Sequence, residues 1–303
     1  MTDLAIRTDG LTKHYGEVQA LTDLNLEVKM GEVFGFLGPN GAGKTTAIRT
    51  MLDLIRPTAG SATIAGLDSH ADAVEIRNHI GYLPSDVSMY TNLTGRDMIT
   101  YFSNLRGGVE KRFVDELSQR LQADLSKKIG DYSSGNRQKI GLILAFMSKP
   151  DVVIMDEPSA GLDPLVQREF QTMMREVAAE GRCVFLSSHT LSEVQRAADR
   201  VGIIRNGNLV DVEFVDDLRS KAMRRVELQF TGPVDAAVFA AVPGVRDVEV
   251  ASHHAVMSFD GNMDALLGVA TDRYTLVDIN TQEADLEEIF LQYYRNEETP
   301  HVP

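Results

Sequence analysis

The sequence has no tryptophan and a single cysteine, Cys183. One thiol cannot close a disulfide, and Cys183 heads the apolar run Val184-Phe185-Leu186, so a buried, reduced thiol and a reducing cytoplasm are expected. Long hydrophobic runs are also missing. The longest are about seven residues, such as Ala236 to Val242, against the roughly 20 needed to cross a bilayer. Met1-Thr2-Asp3-Leu4 carries neither the basic nor the apolar part of a secretory signal. Any membrane channel served by this protein is therefore expected on another polypeptide. Positive charge is scarce too, with 30 Lys and Arg against 44 Asp and Glu and a net charge of −14. That balance argues against nucleic acid as a partner, which calls for a basic footprint. At 303 residues and 43% hydrophobic content, the chain can bury one large and one small core.

What is present is concentrated in a few short stretches. Gly38-Pro39-Asn40-Gly41-Ala42-Gly43-Lys44-Thr45-Thr46 follows the apolar run Val33 to Leu37 and precedes apolar residues at helical spacing from Thr45 to Leu54. This is a strand, a glycine-rich turn and a helix start with the spacing G-x-x-x-x-G-K-T. Glycines let the backbone wrap phosphate oxygens, and the N–H groups of the turn and first helical turn point at the anion. Lys44 supplies a charge for the β- and γ-phosphates, and the Thr45 hydroxyl is placed to ligate Mg²⁺.

Val152-Val153-Ile154-Met155-Asp156-Glu157 reads as a buried parallel strand ending in two carboxylates. Ligands of open α/β sheets bind beyond that edge. Asp156 is expected to hold Mg²⁺ through its water shell, and Glu157 to polarise the attacking water.

Three further stretches complete a pattern. Tyr132-Ser133-Ser134-Gly135-Asn136-Arg137-Gln138 opens a helical run and precedes the acidic strand. Ser159-Ala160-Gly161-Leu162-Asp163 follows Glu157, and His189 follows the strand Cys183 to Leu186 and two serines. With these motifs in this order over residues 4 to 218, the chain resembles the nucleotide-binding subunits of ATP-binding-cassette (ABC) transporters. The resemblance implies an α/β fold: a P-loop ABC ATPase core with an antiparallel β subdomain and a helical subdomain, plus a small C-terminal α+β domain. It implies that Ser133, Ser134 and Gly135 form the signature that meets the γ-phosphate, that Asp163 closes the D-loop, and that His189 is the switch histidine. Tyr15, in Lys13-His14-Tyr15-Gly16, resembles the aromatic that stacks on adenine. Cofactors ATP and Mg²⁺, a second copy of the chain packed head to tail, and a separately encoded membrane permease are implied as well. So is a location on the cytoplasmic, inner face of the membrane.

Two departures stand out. The family's Q-loop glutamine follows Gly-Tyr-Leu-Pro, where this chain has Ser85 and then Asp86. Serine is too short to reach Mg²⁺ as glutamine does, so either a water bridges Ser85 or Asp86 takes part. In the signature, Ser134 and Asn136 stand where the family has Gly and Gln. Ser134 keeps a backbone N–H but has less conformational freedom than glycine.

Strand and helix patterns alternate to about Leu218. Strand-like runs include Ala5 to Thr8, Leu24 to Val28, Ala62 to Ile64, Ile80 to Leu83, Val201 to Arg205 and Asn208 to Val212. Helical runs are Gly95 to Arg106, Glu110 to Gln122, Asn136 to Met147, Leu165 to Ala179 and Leu191 to Ala198. Residues 1–220 are expected to form the nucleotide-binding domain, with a helical insert over about 86–148. Residues 221–303 hold six Lys and Arg against fourteen Asp and Glu, and residues 221–296 read as a separate α+β domain with one antiparallel sheet. Its strands are expected at Arg225 to Phe230, Val245 to Val250, His254 to Phe259 and Thr275 to Asn280. Its helices are expected at Val234 to Ala241, Met263 to Val269 and Ala284 to Tyr294. The last helix resembles the terminal helix of accessory domains on bacterial ABC exporter ATPases, and residues 297–303 read as a flexible tail. Export of a substrate such as an antibiotic or drug is the leading expectation. A soluble ABC-type ATPase acting on ribosomes or DNA, and a non-hydrolysing ATP-binding regulator, are the alternatives. A single phosphate loop, the acidic balance and the lack of a heptad run weigh against the first, and Glu157 and His189 against the second.

Overall fold

The computed structural model describes residues 3–221 and 224–282. The chain forms two compact units, one ending at Phe214 and the other starting at Val215. The composition change near Leu218 falls inside the first helix of the second unit. The helix expected over 284–294 and the tail at 297–303 lie outside the described residues.

The first unit opens with a long hairpin, β1 (Leu4–Tyr15) and β2 (Val18–Lys29). Both strands run well past the lengths expected from alternation. Register shifts after Thr8, Leu11 and Lys13 break the side-chain pattern while the ladder continues, and a bulge of this kind hides a strand from periodicity. With β4 (Ala59–Ile64) and the two-residue β5 (Leu67–Asp68), the hairpin forms an antiparallel sheet in the order β2-β1-β4-β5.

The second sheet is built from the wholly buried strands β3 (Val33–Leu37), β7 (Val152–Asp156) and β8 (Cys183–Ser188), with β6 (Ile80–Leu83) and β9 (Arg200–Arg205). These five run parallel, and β10 (Asn208–Phe214) closes one edge antiparallel, giving the order β10-β9-β3-β8-β7-β6. Near-continuous apolar strands are what a sheet covered on both faces requires. Helix α1 (Lys44–Met51) follows β3, and its Ala47, Ile48 and Met51 share one core with residues of both sheets. It ends earlier than the apolar spacing suggests, at a turn where Asp53 has φ 52°. A short helix absent from the sequence expectation, α2 (Ala73–His79), precedes β6; only Ile76 of it is buried, so no apolar stripe announces it.

Between β6 and β7 lies the helical insert: α3 (Gly95–Leu105), α4 (Lys111–Arg120) and α5 (Ser134–Phe146). Thr94 and Asp97 form a reciprocal cap that fixes the start of α3. The pair Gly107-Gly108 falls in the α3–α4 turn, both with positive φ. Helices α6 (Pro164–Ala179) and α7 (Leu191–Ala197) flank β8.

The second unit starts with α8 (Val215–Lys221) and then runs β11 (Arg224–Phe230), α9 (Ala236–Ala240), β12 (Val245–Ala251), β13 (His254–Phe259), α10 (Met263–Arg273) and β14 (Leu276–Gln282). The β-α-β-β-α-β order and the antiparallel sheet order β12-β13-β11-β14 describe a split β-α-β, ferredoxin-like layout. Phe230, Phe239 and Phe259, with half-buried Tyr274, anchor its separate core.

Candidate functional site

The parallel strands end level with one another. Leu37 of β3 pairs with Ser188 of β8, Asp156 of β7 with Ser187, and Leu83 of β6 with Met155 of β7. The segments that leave these ends therefore meet along one edge. The glycine loop leaves β3, the acidic pair closes β7, His189 follows β8, and Ser85 follows β6.

The glycines of the loop are required by geometry. Gly41 and Gly43 have φ 82° and 105°, the left-handed region that only glycine enters at low cost. A Cβ on Gly43 would lie 2.5 Å from the Ala20 carbonyl of β2, and one on Gly38 would lie 2.4 Å from the Ile204 carbonyl of β9. The backbone is thus pressed between two sheets. Gly43 is the N-cap of α1 and contributes no side chain, so no side-chain cap engages the first-turn N–H groups. That makes the helix start suited to an anion.

Lys44 is almost fully buried. Its Nζ donates to the carbonyls of Gly38 at 2.6 Å and Pro39 at 3.2 Å and lies 3.2 Å from Glu157 Oε1. A buried ammonium is tolerated only when partners of this kind surround it. On the acidic side, Asp156 is completely buried. Its Oδ2 accepts from Thr45 Oγ1 at 2.7 Å and its Oδ1 from Ser187 Oγ at 2.5 Å. Ser187 Oγ also accepts from the Glu157 N–H at 3.1 Å. Glu157 Oε2 lies 2.8 Å from His189 Nδ1, so one carboxylate spans Lys44 and the half-exposed histidine.

These groups border a cavity of about 540 Å³, within the range of small-molecule sites. Its wall takes in Pro39, Asn40, Gly41, Gly43, Lys44, Thr45 and Thr46, together with Ser85 and Glu157. Gly38 and Ala42 belong to the same loop but do not line the cavity. Five further residues of the wall are not among those expected from sequence: Val18, Gln19 and Ala20 of β2 and the Asn206-Gly207 turn between β9 and β10. Asn-Gly is a hairpin-turn signal, yet nothing in it announces a cavity 160 residues away in sequence. Ser187 was foreshadowed only as one of two serines before His189. Tyr82 of β6 also stands near, and burial together with the Asp156 charge pushes its phenol pKa up.

Other expected residues lie off this wall. Tyr15 is half exposed at the end of β1, with Lys13 Nζ 5.0 Å from its ring centroid. Ser133 caps α5, its Oγ accepting from the Asn136 N–H at 3.2 Å, and Ser134 and Gly135 form the first turn. One of the two unusual signature residues, Asn136, shares a task with Tyr132. Asn136 bonds both N–H and C=O of Asp124, each at 3.1 Å, and the Tyr132 hydroxyl donates to the same carbonyl. Asp163 caps α6 through Val166 N–H at 3.0 Å, a bond that draws its carboxyl below the usual range. Asp86 is exposed beside Ser85 and is not part of the wall.

The donor set suits a nucleoside triphosphate with Mg²⁺. A hydroxyl and a carboxylate oxygen 2.7 Å apart, at Thr45 and Asp156, are hard oxygen ligands. Among the described residues no group of three or more His, Cys, Asp or Glu forms a metal cage, and Mg²⁺ characteristically relies on one or two protein oxygens plus phosphates and water. No helix among the described residues is long and apolar enough to cross a membrane.

A family model described as ABC transporter matches residues 21–160. The bacitracin transport ATP-binding protein of Bacillus licheniformis is 37% identical over 236 residues, 77% of each chain. The daunorubicin resistance ATP-binding protein of Streptomyces coeruleorubidus is 33% identical over 96% of each. A solved ATP-binding subunit of an ABC transporter is 29% identical with a TM-score of 0.65, covering 72% of this chain and 92% of its own. The ordered strand ends, the glycine loop and these relatives agree: the chain belongs to the ATP-binding subunits of ABC transporters and is an ATPase of that family.

Proposed function

We propose that this ATPase powers export of an antibiotic-like or drug-like substrate through a separately encoded membrane permease, from the cytoplasmic face. The observation that carries the reading is the Glu157 carboxylate held between Lys44 and His189, next to the Thr45–Asp156 pair. In this reading the free backbone N–H groups of the glycine loop and of the first turn of α1, together with Lys44, hold the phosphates of ATP. Thr45 and Asp156 would hold Mg²⁺, and Ser85, on the same cavity wall, would contribute through a bridging water. Tyr15 stacks on the base. The metal supplies charge neutralisation on the β- and γ-phosphates. Glu157 takes a proton from the attacking water, and His189 orients Glu157 and senses the γ-phosphate.

The chain is proposed to work as a head-to-tail pair. Ser133, Ser134 and Gly135 lie off the cavity wall of their own chain, which fits a role at the partner copy's ATP. Asp163 would then face the same interface. ATP favours the closed pair through contacts to both copies, and hydrolysis removes the bridging γ-phosphate. Drug and antibiotic export is supported by the likeness to the bacitracin transport and daunorubicin resistance ATP-binding proteins. The exposed Tyr90 and Tyr101, in edge contact with each other in the segment after Ser85, are an apolar surface suited to the permease.

Light scattering of Glu157→Gln tests the pairing: a dimer is expected with ATP and Mg²⁺ and a monomer without nucleotide. A monomer under both conditions would overturn the sandwich. Co-expression with the permease, with drug-stimulated ATP turnover as the readout, tests the transport role.

A further inference from the structure

We infer that Gln138 is a positioning residue for the Glu157 carboxylate, acting from the signature helix of the same chain. Glu157 has φ 52°, a left-handed conformation uncommon for a long side chain. The next residue is Pro158, which favours an extended residue before it. A backbone held against both preferences persists only where its surroundings over-determine it. Two side chains do so here. Ser187 Oγ accepts the Glu157 N–H at 3.1 Å. On the other side, the amide of Gln138, almost fully buried, donates from Nε2 to the Pro158 carbonyl at 2.9 Å and approaches the Glu157 carbonyl at 3.4 Å.

Gln138 is the centre of a seam. Residues three and four apart share one helix face, and on α5 that face meets the Glu157–Asp163 loop at Gly135, Gln138 and Lys139. A Cβ on Gly135 would sit 2.4 Å from the Gly161 carbonyl, and Lys139 Nζ lies 3.4 Å from Asp163 Oδ2. The helix that carries Ser133 and Gly135 therefore grips the turn that aims Glu157, so the two cannot shift independently. Gln138 touches no reacting atom; it fixes the direction in which Glu157 leaves β7.

The inference rests on the reading of Glu157 as general base, and the test separates the two. Gln138→Met keeps the volume and removes the donor, and Gln138→Glu keeps the shape but turns an acceptor toward two carbonyls. Each is measured alone and combined with Glu157→Gln for kcat, KM for ATP and cooperative thermal unfolding. A misplacement of about 1 Å costs roughly 10²-fold, so kcat is expected to fall tenfold to hundredfold in Gln138→Met, with KM changed by less than about twofold. In the Glu157→Gln background the same change is expected to have no further effect, because there is no carboxylate left to aim. An equal fall in both backgrounds, a rise in KM matching the fall in kcat, or an unchanged kcat would each overturn the positioning role. A normal rate for Glu157→Gln alone removes the general base, and the role of Gln138 with it. If Gln138→Met loses cooperative unfolding, Gln138→Glu gives the same reading; misfolding of both assigns the amide to the fold and overturns the inference.

Discussion

Two histidine–carboxylate pairs stand at opposite edges of the parallel sheet. At the carboxyl ends of β7 and β8, His189 Nδ1 lies 2.8 Å from Glu157. At the amino ends of β6 and β7, His79 Nδ1 lies 2.6 Å from Asp151. The shorter pair is not a site. His79 has Glu75 3.6 Å away on its other nitrogen and solvent beyond, so it staples α2 to the start of β7. Glu157 instead faces a buried ammonium, a glycine-lined cavity and a carboxylate–hydroxyl pair. Chemistry here comes from what the sheet gathers around a pair, and the pair alone carries none.

The comparison breaks first at the carboxylates. Glu157→Gln is expected to lower ATP turnover by about 10²–10⁴-fold, the usual worth of a positioned general base, while Asp151→Asn leaves turnover unchanged. Equal rates in the two variants would erase the distinction between the edges. Lys44→Ala is expected to act on binding. Loss of a charged hydrogen-bond partner is worth about 1.5–3 kcal/mol, so the Kd for ATP should rise roughly 10- to 100-fold in a titration calorimeter. Tyr15→Ala should weaken ATP binding less. Base stacking is worth about 1–3 kcal/mol, and a half-exposed ring belongs at the low end, near fivefold, with turnover at saturation unaltered.

Ser85 sharpens the picture at the cavity wall. Ser85→Gln restores a carbonyl long enough to reach Mg²⁺ and is expected to leave turnover equal or higher, and Ser85→Ala to lower it a few-fold. Asp86→Ala is expected to match the unsubstituted protein, since Asp86 is off the wall; a larger loss there than in Ser85→Ala would transfer the role to Asp86. The smallest effect belongs to the other edge. The Asp151 hydrogen bond raises the His79 pKa above its ordinary value of about 6.5. A group with a raised folded pKa contributes its stability in full below the ordinary value and loses it as pH rises through the folded one. Melting temperature compared between pH 5.5 and 8.5 should therefore drop slightly more in the unsubstituted protein than in His79→Gln. Parallel pH profiles would show that the pair contributes nothing.

The site was legible in the sequence wherever chemistry follows local spacing. The run from Gly38 to Thr46, the Asp156-Glu157 pair and His189 each sit at a strand end that its own apolar run announces. Gln138, Ser187, Gln19 and Asn206 were not legible as site residues, because each acquires its place from a neighbour more than fifteen residues away in sequence. The fold shows the same division. The buried strands β3, β7 and β8 are evident from continuous apolar runs, whereas bulges interrupt the alternation of β1 and β2 and hide their full length. Helix α2 carries no apolar stripe because it buries one side chain. In the second unit the short β-α-β-β-α-β elements could be read, but the strand order depends on pairings that periodicity does not encode.

The close approach of Gly43 to the Ala20 carbonyl has a bearing on how such a loop can be moved or remade. Its path is set by a backbone atom of the antiparallel sheet, and Gly207 bonds across the same seam, its N–H to Ala42 O and its carbonyl to Thr22 N–H. It is the peptide oxygen of residue 20, and not its side chain, that makes the contact. A designer who transplants residues 38–46 into another strand–helix junction transfers the glycines but leaves behind the carbonyl that shapes them. The transferable unit is the loop together with the β2 segment and the β9–β10 turn, three pieces of chain spread over some 190 residues.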